Sequence, residues 1–324
     1  MKQSLIRIAL CGAALLPITM PGAAQTPYPN KLINIVVPFP AAGTTDSIAR
    51  IVGDKLRTRV HQSVIIDNKP GAGGNIGAAA VARAAPDGYT LFASPPGPLT
   101  INFNLYKNIS YDARKFVPIT TIANMPNVLV VGPSVKARTL QELIDYARAN
   151  PGKLSFASQG NGTTSHLTTL YLENQLGIKM VHVPYRGSAP ALSDLMAGTV
   201  DLMFDNLTTT LPFHQSKRVR ILASATKERV ATIADVPTMH EAGVRNFESS
   251  TWVTLAAPAG TPATVVQMLA REVSDIVKMP DVISQFATLG ADPVGSTPEA
   301  TAAMLREETA RWKTVINAAQ ITLD

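Results

Sequence analysis

Cysteine is nearly absent from this chain of 324 residues, since its single cysteine, Cys11, lies in the first apolar stretch. We interpret that stretch as a segment removed on export, so the remaining chain has no thiol. Disulfides, thiolate metal sites and a cysteine nucleophile are thereby excluded. An exported protein without disulfides fits a bacterial periplasm better than the class of small secreted proteins held together by disulfides.

Charged residues are scarce at 16%, and aromatic residues make up only 6%. The formal net charge is +6, and without Lys2 and Arg7 the balance is 27 basic against 23 acidic residues, about +4. No run of Lys or Arg exceeds two residues. This composition predicts no nucleic-acid partner. The small positive excess would attract anionic ligands only weakly.

Long apolar runs are missing from most of the chain. Lys2 and Arg7, the apolar run at 8–18 and the small residues before Gln25 are typical of a secretory signal peptide covering residues 1–24. No later stretch reaches 18 consecutive apolar residues, so no membrane-spanning helix is predicted. The sequence therefore predicts cleavage of the leader and a periplasmic location.

Motifs of common catalytic and cofactor sites are absent as well. There is no G-x-S-x-G elbow and no P-loop, and no histidine pairs with another histidine or a cysteine at metal-ligand spacing. Ser165 and His166 are adjacent on a predicted helix and would not face each other. The glycine-rich segment 71–77 places Ile76 where a dinucleotide-binding fingerprint needs glycine. A tight turn at the rim of the cleft is therefore favoured over a dinucleotide site. We expect no cofactor, no metal ion and no catalysis.

What the chain does contain is an alternation of strand and helix patterns. Strand patterns at Ile33–Pro38 and Ser63–Asp67 flank a helix pattern at Ser47–Val60, and a second alternating unit begins at Val128–Val131. Such an order predicts parallel sheets covered by helices. After Ala257 the pattern is mainly helical, which indicates a return to the first unit.

The predicted fold is therefore α/β and two-lobed, with two doubly wound sheets joined by a two-strand hinge. The expected crossings lie near 120–127 and 245–251, and such a hinge suits closure around a ligand. After the leader, this assigns residues 25–124 and 247–324 to lobe 1 and residues 125–246 to lobe 2.

Two strand–loop–helix junctions, Leu32–Asp46 and Leu154–His166, are the strongest candidates for a site. Backbone N–H groups and a helix N-terminus meet at such a junction and suit an anion. Loops at the carboxyl ends of strands line the crevice of α/β folds. The candidate ligand-binding residues in them are Phe39, Ala42, Gly43, Thr44, Thr45, Asp46, Ser158, Gln159, Asn161, Gly162 and Thr163.

Two acidic residues leave alternatives open. Asp46 would stabilise the helix dipole in the favoured interpretation, while the other interpretation has it bind a ligand hydroxyl, amine or water. Asp205 and Asn206 follow a strand directly, so either of them faces the crevice or caps the next helix.

A series of motifs in order resembles the Bug-type receptors of tripartite tricarboxylate transporters. The residues that carry the resemblance are VVPFPAAGTTD (36–46), DNKPGAGGNIG (67–77), PDGYTL (86–91), PNVLVV (126–131), ASQGNGTTSHL (157–167), HVPYRGSAPALSDLMAGTVDLMFDN (182–206), DVPTMHEAG (235–243) and LAAPAGTP (255–262). The resemblance implies a periplasmic binding protein of the Venus-flytrap type, expected here as a monomer. It also implies that a small carboxylate is captured between the lobes and delivered to membrane permease subunits.

The resemblance also adds residues to the candidate site. By position it places Asp205 and Ser94 in the cleft. One departure is Ala41-Ala42-Gly43-Thr44, where the family often has consecutive glycines, so added methyl groups would narrow the pocket. The segment Ser94–Pro98 is unusually rich in proline and is expected to be a stiff loop.

The leading hypothesis is a receptor that captures a mono- or dicarboxylate, aromatic acids and amino acids included. It would hold the ligand with loop N–H groups and hydroxyls rather than with an arginine clamp, Arg186 being the nearest basic residue. The alternatives are a ligand sensor that presents its closed form to a two-component sensor kinase, and an enzyme on the same scaffold, which the missing catalytic motifs disfavour.

Overall fold

A computed structural model describes residues 28–323, so the predicted signal peptide at 1–24 lies outside the described residues. The described chain forms ten strands that are joined in one mixed sheet. They are β1 (Ile33–Val37), β2 (Val64–Asn68), β3 (Thr90–Ser94), β4 (Val117–Val131), β5 (Ser155–Ser158), β6 (Val181–Pro184), β7 (Leu202–Asn206), β8 (Arg220–Ser224), β9 (Ser250–Ala257) and β10 (Asp292–Pro293).

Helices cover the faces of this sheet and begin close to the capping residues of the sequence. Thr139 and Thr297 cap two of them with their side chains, accepting hydrogen bonds from the N–H groups of Glu142 and Ala300. The helices are α1 (Thr44–Val60), α2 (Asn75–Ala82), α3 (Asn102–Leu105), α4 (Leu140–Ala149), α5 (Thr164–Leu176), α6 (Ser188–Ala197), α7 (Leu207–Gln215), α8 (Ala263–Ile276), α9 (Pro280–Thr288) and α10 (Pro298–Ala319).

Each half of the sheet has parallel strands, as the alternating pattern predicts. The order is β2-β1-β3-β9-β4-β7-β5-β6, with β1 parallel to β2 and β3, and β5 parallel to β6 and β7. The α/β fold class is confirmed. The boundaries of the two predicted lobes stay a prediction.

Strand β4 runs through both halves and explains how they are joined. It has 15 residues, and at about 3.3 Å per residue such a strand is roughly 50 Å long. Its first part pairs with β9 in antiparallel fashion, down to Pro126 opposite Ser250, and its last part pairs with β7 and β8. The two chain segments that pass between the halves are therefore hydrogen-bonded to each other at the crossing.

Each half has its own apolar core, built from different stretches of sequence. In the first half, Ile35 of β1 and Ile48 of α1 share a core with Leu255 of β9 and Phe286 of α9. In the second half, the core packs Leu129, Phe156, Phe204, Leu222 and Phe247 together. The helical tail thus returns to the first half, as expected.

A smaller apolar cluster, the bridging cluster, joins the two halves behind the sheet. It contains Ile101 and Leu105 from the first half, Leu167 from α5 of the second half, and Trp312 and Ile316 from α10. Trp312 is 1% exposed and Ile316 is 2% exposed. The last helix therefore packs against both halves.

The segment after β3 differs from the expected loop. Residues Gly97–Ile101 form a wide helical turn that runs into α3, and Thr100 Oγ1 donates a hydrogen bond to the carbonyl of Pro96. Prolines at the start of a helix cost little, because the first N–H groups have no intrahelical partner. Across residues 28–323, no helix combines the length and apolarity that a membrane crossing requires.

Candidate functional site

A cavity of about 80 Å³ lies where the two halves of the sheet meet. Pockets for drug-sized ligands are larger, roughly 300–1,000 Å³, so the cavity suits a small solute. Its wall is formed by loops from both halves and by the crossing strand β9. The lining residues are Phe39, Pro40, Ala41, Gly43, Thr44, Thr45, Pro95, Pro96, Gly97, Gln159, Thr163, Thr164, Arg186, Gly187, Ser188, Ala189, Pro190, Asn206 and Thr251.

Four helix N-termini border this cavity. Helix α1 begins at Thr44, α5 at Thr164, α6 at Ser188 and α7 just after Asn206. The N-cap residues of α1, α6 and α7 make no side-chain capping hydrogen bond. The first N–H groups of these helices thus lack a side-chain cap, and the positive ends of the helix dipoles favour an anion here.

A second cavity, here called the outer cavity, adjoins the first. It shares Phe39, Pro40, Gln159, Arg186 and Gly187 with the inner cavity. Arg186 is exposed and has no hydrogen bond or salt bridge within residues 28–323. A cation without a partner where the two cavities meet adds to the positive potential of the helix ends.

Asp46 does not border the cavity but fixes the first loop. Its Oδ2 accepts hydrogen bonds from the N–H of Ala42 at 2.8 Å and from Nε of Arg50 at 2.9 Å. Its Oδ1 accepts from Asn68, whose amide also donates to the carbonyl of Phe39. Burial alone would raise the pKa of Asp46, but the hydrogen bonds from Arg50, Ala42 and Asn68 outweigh it and lower the pKa. The geometry favours the structural interpretation of this residue.

Asp205 is fully buried beneath the second loop. Its Oδ1 accepts hydrogen bonds from Gln159 Nε2 at 2.6 Å and from Ser188 Oγ at 2.9 Å. Its Oδ2 accepts from the hydroxyls of Thr209 and Thr210, each at 2.8 Å. Burial raises the pKa of Asp205, while these four hydrogen bonds oppose that rise. Two of its donors, Gln159 and Ser188, line the cavity. Asp205 therefore holds these two side chains of the cavity wall in place without lining the cavity itself.

A chain of amides connects the cavity to the crossing strands. Asn206 Oδ1 accepts from Gln159 Nε2 at 3.0 Å and from Thr44 Oγ1, in the opposite half, at 3.3 Å. The amide nitrogen of Asn206 donates to Asn127 Oδ1 at 2.8 Å, and Asn127 in turn donates to Ser249 Oγ at 2.7 Å. Asn206 is thus a buried link between the two loops of the cleft and the point where β4 and β9 cross.

Two stacked histidines support the second loop from behind. The rings of His166 and His182 lie 4.0 Å apart, and Phe156 stacks on His182 at 4.7 Å. His182 Nε2 is 2.7 Å from Ser158 Oγ, and His166 Nδ1 accepts from the N–H of Gly162. Burial, together with the neighbouring His182, lowers the pKa of His166 to about 3, and burial lowers the pKa of His182 to about 4. Both rings therefore act as neutral supports of the loop.

Ser165 and His166, which are adjacent in α5, do not form a pair of nucleophile and base. Ser165 Oγ donates to the carbonyl of Phe204, while His166 Nδ1 faces Gly162. Among the described residues, no group of three His, Cys, Asp or Glu side chains is placed to hold a metal ion. The hydroxyls and N–H groups around the cavity suit binding.

The structure brings only part of the predicted site to the cavity. Phe39, Gly43, Thr44, Thr45, Gln159 and Thr163 line the inner cavity, and Asn161 lines the outer one. Ala42, Asp46, Ser94, Ser158, Gly162 and Asp205 border neither cavity.

The site predicted from sequence leaves out the N-terminus of α6 and the proline segment that closes one wall, although Arg186 and the loop after Ser94 are both expected near the ligand. Arg186 to Pro190 form the first of these, and Pro95 to Gly97 form the second. Glycine at 187 before a helix pattern was a usable signal for the first segment, since Gly187 has a φ of 103° at the N-cap. Of the alanines that depart from the family pattern, Ala41 lines the cavity, while Ala42 takes a left-handed φ of 63° that costs a residue with a Cβ about 1 kcal/mol.

Comparisons with known proteins show which family this chain is similar to. The family model described as the tripartite tricarboxylate transporter family receptor matches residues 48–321. The Rpa4515 structure from R. palustris, solved with adipate, is 36% identical with a TM-score of 0.89, covering 91% of this chain and 99% of that one. The periplasmic binding protein BugD is 35% identical with a TM-score of 0.86, covering 91% and 99%.

A third solved structure is similar over nearly the same range. MatC from Rhodopseudomonas palustris, with bound malate, is 33% identical with a TM-score of 0.84, covering 89% of this chain and 100% of that one. By its sequence and its fold, then, this chain belongs to the receptor family of the tripartite tricarboxylate transporters as a periplasmic solute-binding protein without enzymatic function.

Proposed function

We propose that this protein captures a small mono- or dicarboxylate in the cleft for uptake by the permease subunits of a tripartite tricarboxylate transporter. The observation that carries the proposal is the meeting of three helix N-termini without side-chain caps, those of α1, α6 and α7, at one small cavity. Backbone N–H groups at such ends are a site for a carboxylate. In this interpretation the leader at 1–24 directs the chain to the periplasm.

The charge around the cavity supports an anion as the ligand. Arg186 is the only basic residue that lines the cavity, and it has no partner in the described chain. Asp205 is shielded by four hydrogen-bond donors and does not face the ligand space. Adipate in Rpa4515 and malate in MatC, two similar structures, are both dicarboxylates.

The contacts across the cleft support capture by closure. Thr44 of the first half is hydrogen-bonded to Asn206 of the second half, and Tyr106 reaches the carbonyl of Asn161 at 3.5 Å. A ligand between these loops would add contacts to both halves, and it would therefore stabilise the closed form.

The proposal is tested by thermal shift and calorimetry on the mature protein with a panel of mono- and dicarboxylates. At a concentration 100 times the Kd, a ligand stabilises the folded protein by about 2.7 kcal/mol, so Tm rises. Methyl esters of the same acids are the matched controls and should give no shift, because they lack the charge. Shifts of equal size with acids and esters, or none with any acid, would overturn the proposal.

A further inference from the structure

We propose that Gln159 selects, among small carboxylates, those that carry a hydroxyl group, because its amide is locked with the carbonyl oxygen towards the ligand space. This inference rests on the proposed function and specifies the class of ligand. It follows from the buried hydrogen bonds of Asp205 and Asn206.

The orientation of the Gln159 amide is set by its neighbours. Its nitrogen lies 2.6 Å from a carboxylate oxygen of Asp205, a group that accepts hydrogen bonds from four donors. The same nitrogen donates to Asn206 Oδ1 at 3.0 Å. Rotating the amide by 180° would place its oxygen against both acceptors, which removes two hydrogen bonds and adds repulsion.

The orientation of Asn206 is fixed by the same logic. Its nitrogen donates to Asn127 Oδ1, so its oxygen must point to Gln159 and Thr44. Asn127 uses its own nitrogen for Ser249. The three amides therefore form one directional chain that starts at the Asp205 carboxylate.

Locking the nitrogen leaves the oxygen of Gln159 as a free acceptor. Within residues 28–323 this oxygen has no hydrogen-bond partner, and it is not among the buried unpaired atoms. Gln159 lines both the inner and the outer cavity, which is the space left to its oxygen once the nitrogen is turned towards Asp205 and Asn206. Of the remaining polar groups of the wall, the helix N–H groups and Arg186 can only donate, while the threonine hydroxyls can donate or accept.

The fixed Gln159 oxygen distinguishes a ligand group that can donate a hydrogen bond from one that can only accept. A carboxylate oxygen of the ligand is repelled by the Gln159 oxygen and fits the helix N-termini instead, while a hydroxyl on the same ligand can donate to Gln159. An ammonium group could donate too, but the helix N-termini and Arg186 create a positive potential that opposes it. The ligand class is therefore hydroxycarboxylates.

Calorimetry with matched pairs tests the inference on the wild-type protein. Succinate is compared with malate, and glutarate with 2-hydroxyglutarate, with aspartate as the amino counterpart of malate. We expect the hydroxy acid of the better-bound pair to bind roughly tenfold more tightly, since leaving the acceptor unpaired costs one hydrogen bond. Equal affinities within both pairs, or tighter binding of aspartate than malate, would overturn the inference while leaving carboxylate capture intact. If no acid binds, the proposed function itself fails.

Two variants separate selection from a structural role. Gln159→Leu should remove the difference within a pair, whereas Arg186→Gln should weaken both members equally and keep it. A Tm scan checks that each variant is folded. A preference that survives in Gln159→Leu would contradict the role of Gln159.

Discussion

At the scale of single residues, glycines in the second loop permit contacts that no other residue allows. Gly162 has a φ of 76°, and a Cβ placed there would lie 2.5 Å from Leu105 Cδ2 in the opposite half. Gly177, which ends α5, has a φ of 64° but no atom within 4 Å of such a Cβ. The two positions share the backbone strain of a left-handed residue, and only Gly162 lies against a side chain of the opposite half.

This pair gives the first prediction. Gly177→Ala should lower the free energy of unfolding by about 1 kcal/mol through backbone strain alone, without affecting ligand affinity. Gly162→Ala should carry a similar strain and also weaken carboxylate binding several-fold, because its methyl group pushes the halves apart. Chemical denaturation and calorimetry measure the two effects. Unchanged affinity in Gly162→Ala would show that the halves close without this contact.

A second prediction concerns the stacked histidines. Their pKa values in the folded protein, about 3 for His166 and about 4 for His182, lie below the value of about 6.5 in an unfolded chain. The unfolded state therefore binds more protons, and stability falls as the pH drops below about 6.5 until both rings are charged. For His166 the loss at pH 5 is about 2 kcal/mol.

Urea denaturation between pH 7 and pH 4.5 measures this dependence. His166→Phe keeps the aromatic stack and removes one ionisable ring, so its stability should depend less steeply on pH. The exposed His61 is the control, and His61→Gln should leave the wild-type slope in place. A His166→Phe variant as sensitive to acid as the wild type would exclude His166 as the cause.

At the scale of secondary structure, helix α10 contacts several separate parts of the molecule. Trp312 packs in the bridging cluster, its Nε1 donates to Glu308 Oε2 at 2.9 Å, and Arg311 reaches the carbonyl of Glu248 next to β9. The helix is thus attached to the first half, to α5 of the second half and to the crossing strands.

The third prediction follows from this packing. Trp312→Ala should cost about 3–5 kcal/mol, the usual range for a large aromatic residue removed from a core. Thr314→Ala is the control on the exposed face of the same helix and should change stability by less than about 0.5 kcal/mol. Thermal unfolding of the two variants provides the comparison. A small loss in Trp312→Ala would mean that the bridging cluster rearranges around the cavity.

The elements of this fold could largely be predicted from sequence, whereas much of the site could not. Strand and helix patterns located α1 and α5, because glycine and threonine after an apolar strand are a local signal. The link between Gln159, Asn206 and Asn127 depends on the register of β7 against β4, which pairs Asn206 with Asn127. Residues 79 positions apart give no local signal of such a contact.

The same limit applies to Asp46 and Asp205. Both stand at positions where a sequence motif indicates the cleft, and both turn their carboxylates towards side chains on neighbouring elements. Whether an acidic residue faces a ligand or a neighbour is decided by side-chain packing around it, and the spacing of residues along the chain does not contain that information.

At the scale of the whole molecule, the two cores draw on the chain differently: the first combines both ends of the chain, and the second uses only its middle. The first core combines Ile35 and Ile48 with Leu255, Leu269 and Phe286 from the end of the chain. The core of the second half is made within residues 129–247 alone. The second core can therefore form once residue 247 is present, whereas the first core also needs the residues of β9, α8 and α9.

That difference gives the fourth prediction. A chain that ends at residue 249 should form a protease-resistant second half, since its core is complete, while residues 28–116 remain cleavable for want of β9 and α8. Limited proteolysis followed by mass spectrometry would map the protected region. The full-length chain is the control, and both of its halves should resist cleavage. Equal protection of both halves in the shortened chain would contradict the prediction.

If the proposed leader exports the chain unfolded and from its N-terminus, this interleaving sets the order in which the two cores form. The segment that emerges first cannot finish its core until residues after 250 arrive, so the middle of the chain becomes compact before its beginning. The early segment must then wait in an incompletely packed state, with β1 and β3 exposed to other proteins. The return of β9, α8 and α9 to the first half therefore makes the order in which the two cores form a property of this fold.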